Sequence, residues 1–245
     1  MKGKKEAKKH LQKSEDIEKE YIKIDFISKI KNMFVFPGLF FDKIKKEKLQ
    51  DSLKLFFGFY ILSILVVALI SIYQNYQDQR SIYIWLAEII YSTINGLFYI
   101  GLIFFLLSYI IFLVAKIFSS KKDFLSSSKI VLYSIIIWFI YYFISLIFFY
   151  LFTFDNSMLQ ALQVTQNKEV QKEIFLSFLK QPGAIINLMI TLIAIIHIFI
   201  FSLIGVSKFY DIKKGKAFVI IIISWIIFAA IIGLLFFILL MALFV

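Results

Sequence analysis

Two ionisable side chains, Glu88 and His197, fall in or beside apolar runs long enough to reach membrane depth. A titratable group held in hydrocarbon is costly, so each is a functional candidate by default. At His197 the chemistry would be a proton-sensitive contact. Together with Asn187, the pair could also line a path for a small solute or ion. Structural readings stand beside these and weigh more. Glu88 sits near the end of its run, where its carboxylate reaches water on the wet face of an interfacial helix. His197 flanks a face formed by Asn187, Thr191 and Ser202, where an imidazole can serve as a hydrogen-bonded packing residue.

Other catalytic chemistry is poorly supplied. With no cysteine in the chain, disulfides, thiolate metal sites and cysteine nucleophiles are excluded. The only histidines are His10, in a charged tail, and His197, so clustered metal ligands are not expected. No pair of carboxylates lies at membrane depth, no serine has a histidine at helical spacing or a glycine-flanked elbow, and no glycine-rich phosphate loop occurs. The expectation is a non-enzymatic protein without catalytic residues, cofactor or metal. Coupled carriers use buried charges, broken helices and repeated halves, of which an odd set of spans without internal proline offers little. A small transporter or channel, or an accessory subunit of a larger membrane complex, is the alternative.

The elements that would position these residues are membrane spans. Of 245 residues, 61% are hydrophobic and the mean hydropathy is +0.86. A spanning helix needs about 20 apolar residues, and five stretches qualify, at about 52–73, 96–117, 130–152, 184–206 and 217–243. A soluble fold of this length has one ordinary core and could not bury five such segments. The fold class is therefore all-α, a polytopic five-span membrane protein with amphipathic interfacial helices. Small residues recur at spacings that let helices approach in lipid: Gly101, Ser108 and Ala115; Asn187, Thr191, Ala194, Ser202 and Gly205; and the pair Ala229 and Gly233. These favour one packed bundle.

Orientation follows from lysine. Fifteen lysines lie in the segment up to Lys54, four surround the second connection and four fill the fourth, together 23 of 27 basic residues. The first and third connections hold Arg80, Lys168, Lys172 and Lys180. Cytoplasmic loops collect such charge, so the expected topology is N-in and C-out in the cell membrane. Each lysine near an anionic surface gains about 1 kcal/mol, which makes the lipid headgroups of the cytoplasmic side the expected partner in preference to nucleic acid. The oligomeric state is not legible. Arg80 as the sole arginine, with abundant Ile and Phe, suggests an AT-biased prokaryotic genome.

Two domains are expected. Residues 1–36 form a basic cytoplasmic tail, with an amphipathic helix over Ile17–Phe34 that suits an interfacial position or a protein partner. Residues 37–245 form the five-span domain. The charge crowded into residues 1–50 leaves no room for a secretory signal, so the first span is expected to remain in the mature chain. Pro37 can open a short helix with Phe40, Phe41 and Ile44 on one side, and Asp51 or Ser52 can cap the first span. Ser81–Phe118 is too long for one span, which predicts an interfacial helix to about Ile94 and a new span from Gly96. Val170, Ile174 and Phe178 predict a surface helix in the third connection, ended by Gln181-Pro182-Gly183.

Several local patterns, in order along the chain, resemble the YIP domain family of multi-pass membrane proteins (Ypt-interacting-protein-like). Pro37, Phe41 and Ile44 match its Pro-x-x-x-Phe-x-x-Ile element before the first span. Phe124, after Lys121-Lys122-Asp123, matches the turn before the third span, with Tyr133-Ser134 at a similar offset. Gly205, Tyr210, Lys216 and Ala217 echo the junction of the last two spans. The resemblance covers roughly Phe34 to the C-terminus. The proline often found after the Tyr-Ser pair is replaced by Ile135–Ile137, and the acidic-aromatic motifs linked to Rab-type GTPases are absent, so GTPase binding is not carried over. The resemblance implies an N-in, five-span protein without known catalysis, organising membrane or recruiting partners.

Overall fold

A computed structural model describes residues 26–78, 82–119, 123–152 and 168–243. The charged tail with His10, the start of the Ile17–Phe34 helix, Arg80, Ser81 and the Lys121-Lys122 pair lie outside the described residues, as does the side chain of Glu88. The helices are α1 (Phe26–Val35), α2 (Pro37–Ile44), α3 (Leu49–Asp78), α4 (Ile82–Phe118), α5 (Phe124–Phe152), α6 (Lys168–Leu179), α7 (Pro182–Phe209) and α8 (Lys214–Leu243). Five of them, α3, α4, α5, α7 and α8, are long and apolar enough to cross a membrane. The chain is a multi-pass membrane protein. It divides into two compact units between Lys48 and Leu49.

In the first unit the chain bends at Phe36. Its N–H donates to the Asn32 carbonyl at 2.9 Å, closing α1, and its own carbonyl accepts from the Phe40 N–H at 3.0 Å, opening α2. Pro37 stands at the start of α2, where its missing N–H would have had no helical partner. Met33, Phe40, Phe41 and Ile44 are buried, while Lys43, Lys45 and Lys46 are exposed. Lys29 Nζ reaches Glu47 Oε1 at 2.6 Å with both side chains largely covered, tying α1 to the segment after α2.

The second unit is organised around α5. Helix α5 packs against α3, α4 and α7, and α8 completes a ring by packing against both α4 and α7; α6 touches α7. Its central place is visible in burial: 44% of the α5 window is covered, against 17–28% for the other spans. Ser108 and Ala115, both fully buried, are two of the three small residues expected to face neighbours on α4. Ala229 and Gly233 do not mediate packing here. Both are exposed, and a Cβ built at Gly233 meets nothing.

Two sequence expectations need correcting. Asp51 and Ser52 do not cap α3, because the helix already begins at Leu49. Asp51 instead lies in the first turn, favourable to the helix dipole, with Lys54 at 3.3 Å. The division of Ser81–Phe118 also fails, since α4 runs unbroken through Gly96 for 37 residues. Nothing at Gly96 removes a helical hydrogen bond. Its role is closeness: the Tyr60 hydroxyl of α3 donates to the Thr93 carbonyl at 2.6 Å, and a Cβ at position 96 would lie 3.3 Å from that same hydroxyl oxygen. At about 56 Å α4 exceeds the hydrocarbon thickness, and its apolar span covers Ile89–Phe118.

These environments separate two glycines of equal helix propensity. Gly233→Ala should be neutral or stabilising by up to about 1 kcal/mol. Gly96→Leu should cost about 1–3 kcal/mol through overpacking and loss of the Tyr60 contact. Thermal unfolding of the two detergent-solubilised variants checks the contrast, and equal melting temperatures would contradict it.

Candidate functional site

Helix α5 begins with an N-cap. The Asp123 carboxylate accepts from the Leu125 N–H at 3.0 Å, one of the donors that a helix start leaves orphaned, and from the Ser126 hydroxyl. Helix α7 ends antiparallel to it in a turn at Asp211, whose φ of 50° is left-handed, a conformation Asp visits more readily than bulky residues. The Ile212 N–H closes back on the Ser207 carbonyl at 3.1 Å, the long bond of a Schellman ending. This turn delivers Tyr210, 2% exposed, to the start of α5. Its hydroxyl donates to the Asp123 carbonyl at 3.0 Å and lies 2.6 Å from the Ser127 hydroxyl. From the end of α4, the Ser119 hydroxyl donates to the Tyr210 carbonyl at 3.0 Å. One tyrosine thus joins three helix ends.

Above this knot, polar contacts continue along the α5–α7 seam. Ser134 donates to the Ile130 carbonyl at 2.8 Å, and its oxygen lies 3.1 Å from the Ser202 hydroxyl. Tyr141 Oη and His197 Nδ1 are 3.1 Å apart with perpendicular rings, sharing a hydrogen bond whose direction follows the imidazole tautomer. Ser145 donates to Asn187 Oδ1. Between the last two contacts the helices part, leaving a cleft of about 360 Å³ lined by aromatic, aliphatic and uncharged polar side chains of both helices. The seam offers hydroxyls, an amide and an imidazole, a set suited to neutral hydrogen-bonding groups. Among the described residues no group of three His, Asp or Glu could hold a metal ion.

The Yip1 domain matches residues 31–244. The chain belongs to the Yip1 domain family. Yip1 proteins are membrane proteins not known as enzymes. No curated protein and no solved structure matches the chain.

Within the Yip1 domain the motif residues fall into separate places. Pro37, Phe41 and Ile44 shape the first unit. Phe124 starts α5 and meets Phe112 of α4 edge-on at 5.9 Å; Tyr133 and Gly205 are buried; and Ser134 is a rung of the seam. Ala217 is fully buried in the first turn of α8, its N–H donating to the Lys213 carbonyl at 3.1 Å, while the neighbouring Lys216 is exposed. Of the intramembrane polar residues, His197 and Asn187 are both hydrogen-bonded to α5.

Lys129 escapes a reading that assigns it to a loop. It lies on α5, 6% exposed, with its ammonium 5.9 Å from the Phe209 ring centroid, a cation–π distance. Of the partners on α5, Ser134 is read from the sequence only as part of the family resemblance, and Ser127 and Tyr141 are not read at all, although a signal exists: the three recur every seven residues.

Burial pushes the Tyr210 hydroxyl above the ordinary phenol value; the Ser127 hydrogen bond opposes this, and the Asp123 charge adds to it. A raised folded value means the stabilisation is fully present below about pH 10 and is lost as pH rises beyond it. Tyr210→Phe should cost about 1–3 kcal/mol at neutral pH, since buried partners are left unmatched. The gap in melting temperature between parent and variant should close above pH 10; a gap that widens there would contradict the assignment.

Proposed function

We propose that this protein is a non-enzymatic membrane scaffold, with its N-terminus in the cytoplasm and its fifth span ending outside the cell membrane. Its working surface is the basic cytoplasmic face, which holds anionic headgroups and recruits a protein partner through the N-terminal segment. Ser119, Asp123 and Tyr210 meet at one end of the bundle, so the two lysine-bearing connections share a side, in keeping with that topology.

The observation that carries the reading is the bend between α1 and α2. Val35, Phe36 and Leu39 are 48–58% exposed there and Ile27, at the start of α1, 71%, and Lys31, Lys43, Lys45, Lys46 and Lys48 are exposed in the same unit. Exposed apolar side chains and lysines in one short unit suit the boundary of an anionic bilayer, where the apolar groups enter the acyl layer and the ammonium groups stay with phosphate. A protein groove could also take such a bend, and the lysines favour lipid.

Because the chain has no cysteine, single probes are clean. An environment-sensitive fluorophore at Phe36→Cys should shift to the blue in vesicles containing anionic lipid, and less so in neutral vesicles or at high salt. Emission typical of water in all three would overturn the proposal. A cysteine placed at position 211 should be labelled only from the cytoplasm and one at 245 only from outside; the reverse pattern would refute the topology.

A further inference from the structure

The cleft between α5 and α7 contains hydrogen-bonding groups that the seam does not use. Trp138, Tyr142, Asn187 and Thr191 line it. The Trp138 indole N–H, the Tyr142 hydroxyl, the Asn187 amide N–H₂ and the Thr191 hydroxyl make no hydrogen bond among the described residues; Asn187 only accepts, from Ser145. Unmatched polar groups are expensive in hydrocarbon. All four can donate and no charged residue lines the cleft, so the complementary occupant is neutral at its point of contact and rich in acceptors.

Depth narrows the choice. Helix α7 has 28 residues, about 42 Å, and overshoots a hydrocarbon layer of about 30 Å by roughly 6 Å at each end if centred. Asn187, the sixth residue of α7, then lies about 7.5 Å from its start, near the boundary where lipid ester groups sit. Thr191 lies about 7.5 Å, roughly one and a half turns, deeper than that boundary, and Ala194 approaches mid-layer. Trp138 is 41% and Tyr142 38% exposed on the side that faces lipid in a bilayer, so an occupant enters sideways from the leaflet. The volume is at the lower end of small-molecule sites.

We propose that this cleft binds an ester-linked membrane lipid from the leaflet on the side of the 153–181 connection. The Asn187 amide and the Tyr142 and Thr191 hydroxyls donate to its ester carbonyls, and one acyl chain runs inward along Ile190, Ala194 and Trp138. The headgroup lies beyond Asn187 in the interface, so the site selects for ester linkage rather than headgroup charge. This is separate from the headgroup contacts proposed above for the α1–α2 unit.

The test uses the full chain in phosphatidylcholine vesicles containing a trace of diester phosphatidylcholine with a photoreactive diazirine on one acyl chain. Crosslinks should concentrate on peptides containing Trp138–Leu146 and Asn187–Ala194, and unlabelled diester lipid should compete better than the diether analogue with the same headgroup. Tyr142→Phe combined with Thr191→Val removes two donors that hold nothing else, and should lower site-specific crosslinking about tenfold. Diether lipid competing as well as diester in the unmodified protein would overturn the proposal. So would labelling spread evenly over exposed positions of other helices such as Phe98 and Ile226, or unchanged labelling in the double variant.

Discussion

Helices surrounded by acyl chains gain little from pressing leucine against leucine, so close backbone approach and hydrogen bonds across the interface must hold the bundle. In this chain that work falls on the seam between α5 and α7. Four pairs link the two helices in antiparallel register: Ser127 with Tyr210, Ser134 with Ser202, Tyr141 with His197, and Ser145 with Asn187. Each such bond is worth only about 0.6 kcal/mol on average in a membrane. Their larger effect is on register, because a slip by one residue would leave several polar groups facing hydrocarbon.

The rest of the second unit depends on that register. Helix α5 also carries α3 and α4, while α7 carries α6 and, with α4, α8. Tyr210 completes the arrangement at one end by joining the turn after α7 to the start of α5 and the end of α4. The knot lies beside the second and fourth connections, toward the end of this pair of helices opposite the proposed lipid slot. A pair of helices with hydrogen-bonding capacity along its length and no charged residue lining its cleft is suited to holding lipid, which is part of the work proposed for it.

Hydropathy made the five spans legible because about 20 apolar residues in succession admit few other readings. The α7 stripe was also legible, since Asn187, Thr191, Ala194, Ser202 and Gly205 stand out against Ile and Phe. Its partner stripe on α5 was harder to see. There the contacting residues include Tyr141, a large ring that merges into an aromatic background, and only its seven-residue spacing from Ser134 and Ser127 distinguishes it. Gly96 was misread for a different reason. A lone glycine between a polar and an apolar stretch looks like a boundary, whereas its actual constraint is a hydroxyl on another helix, which no local pattern reports. Lys129 was hidden by proximity to loop lysines. The cleft itself depends on where two helices part, which is a property of their packing.

The central claim is that α5 and α7 are locked in one register along their polar faces. Ser134→Cys with Ser202→Cys, introduced together into a chain that has no cysteine of its own, replaces two hydroxyls 3.1 Å apart by two thiols. Mild oxidation in native membranes should join them in a rapid, near-complete disulfide, seen as a mobility shift reversed by reductant. Ser134→Cys paired with a cysteine at Ile195, exposed on α7, should remain reduced. Failure of the first pair to close, or equal closure of both, would contradict the account.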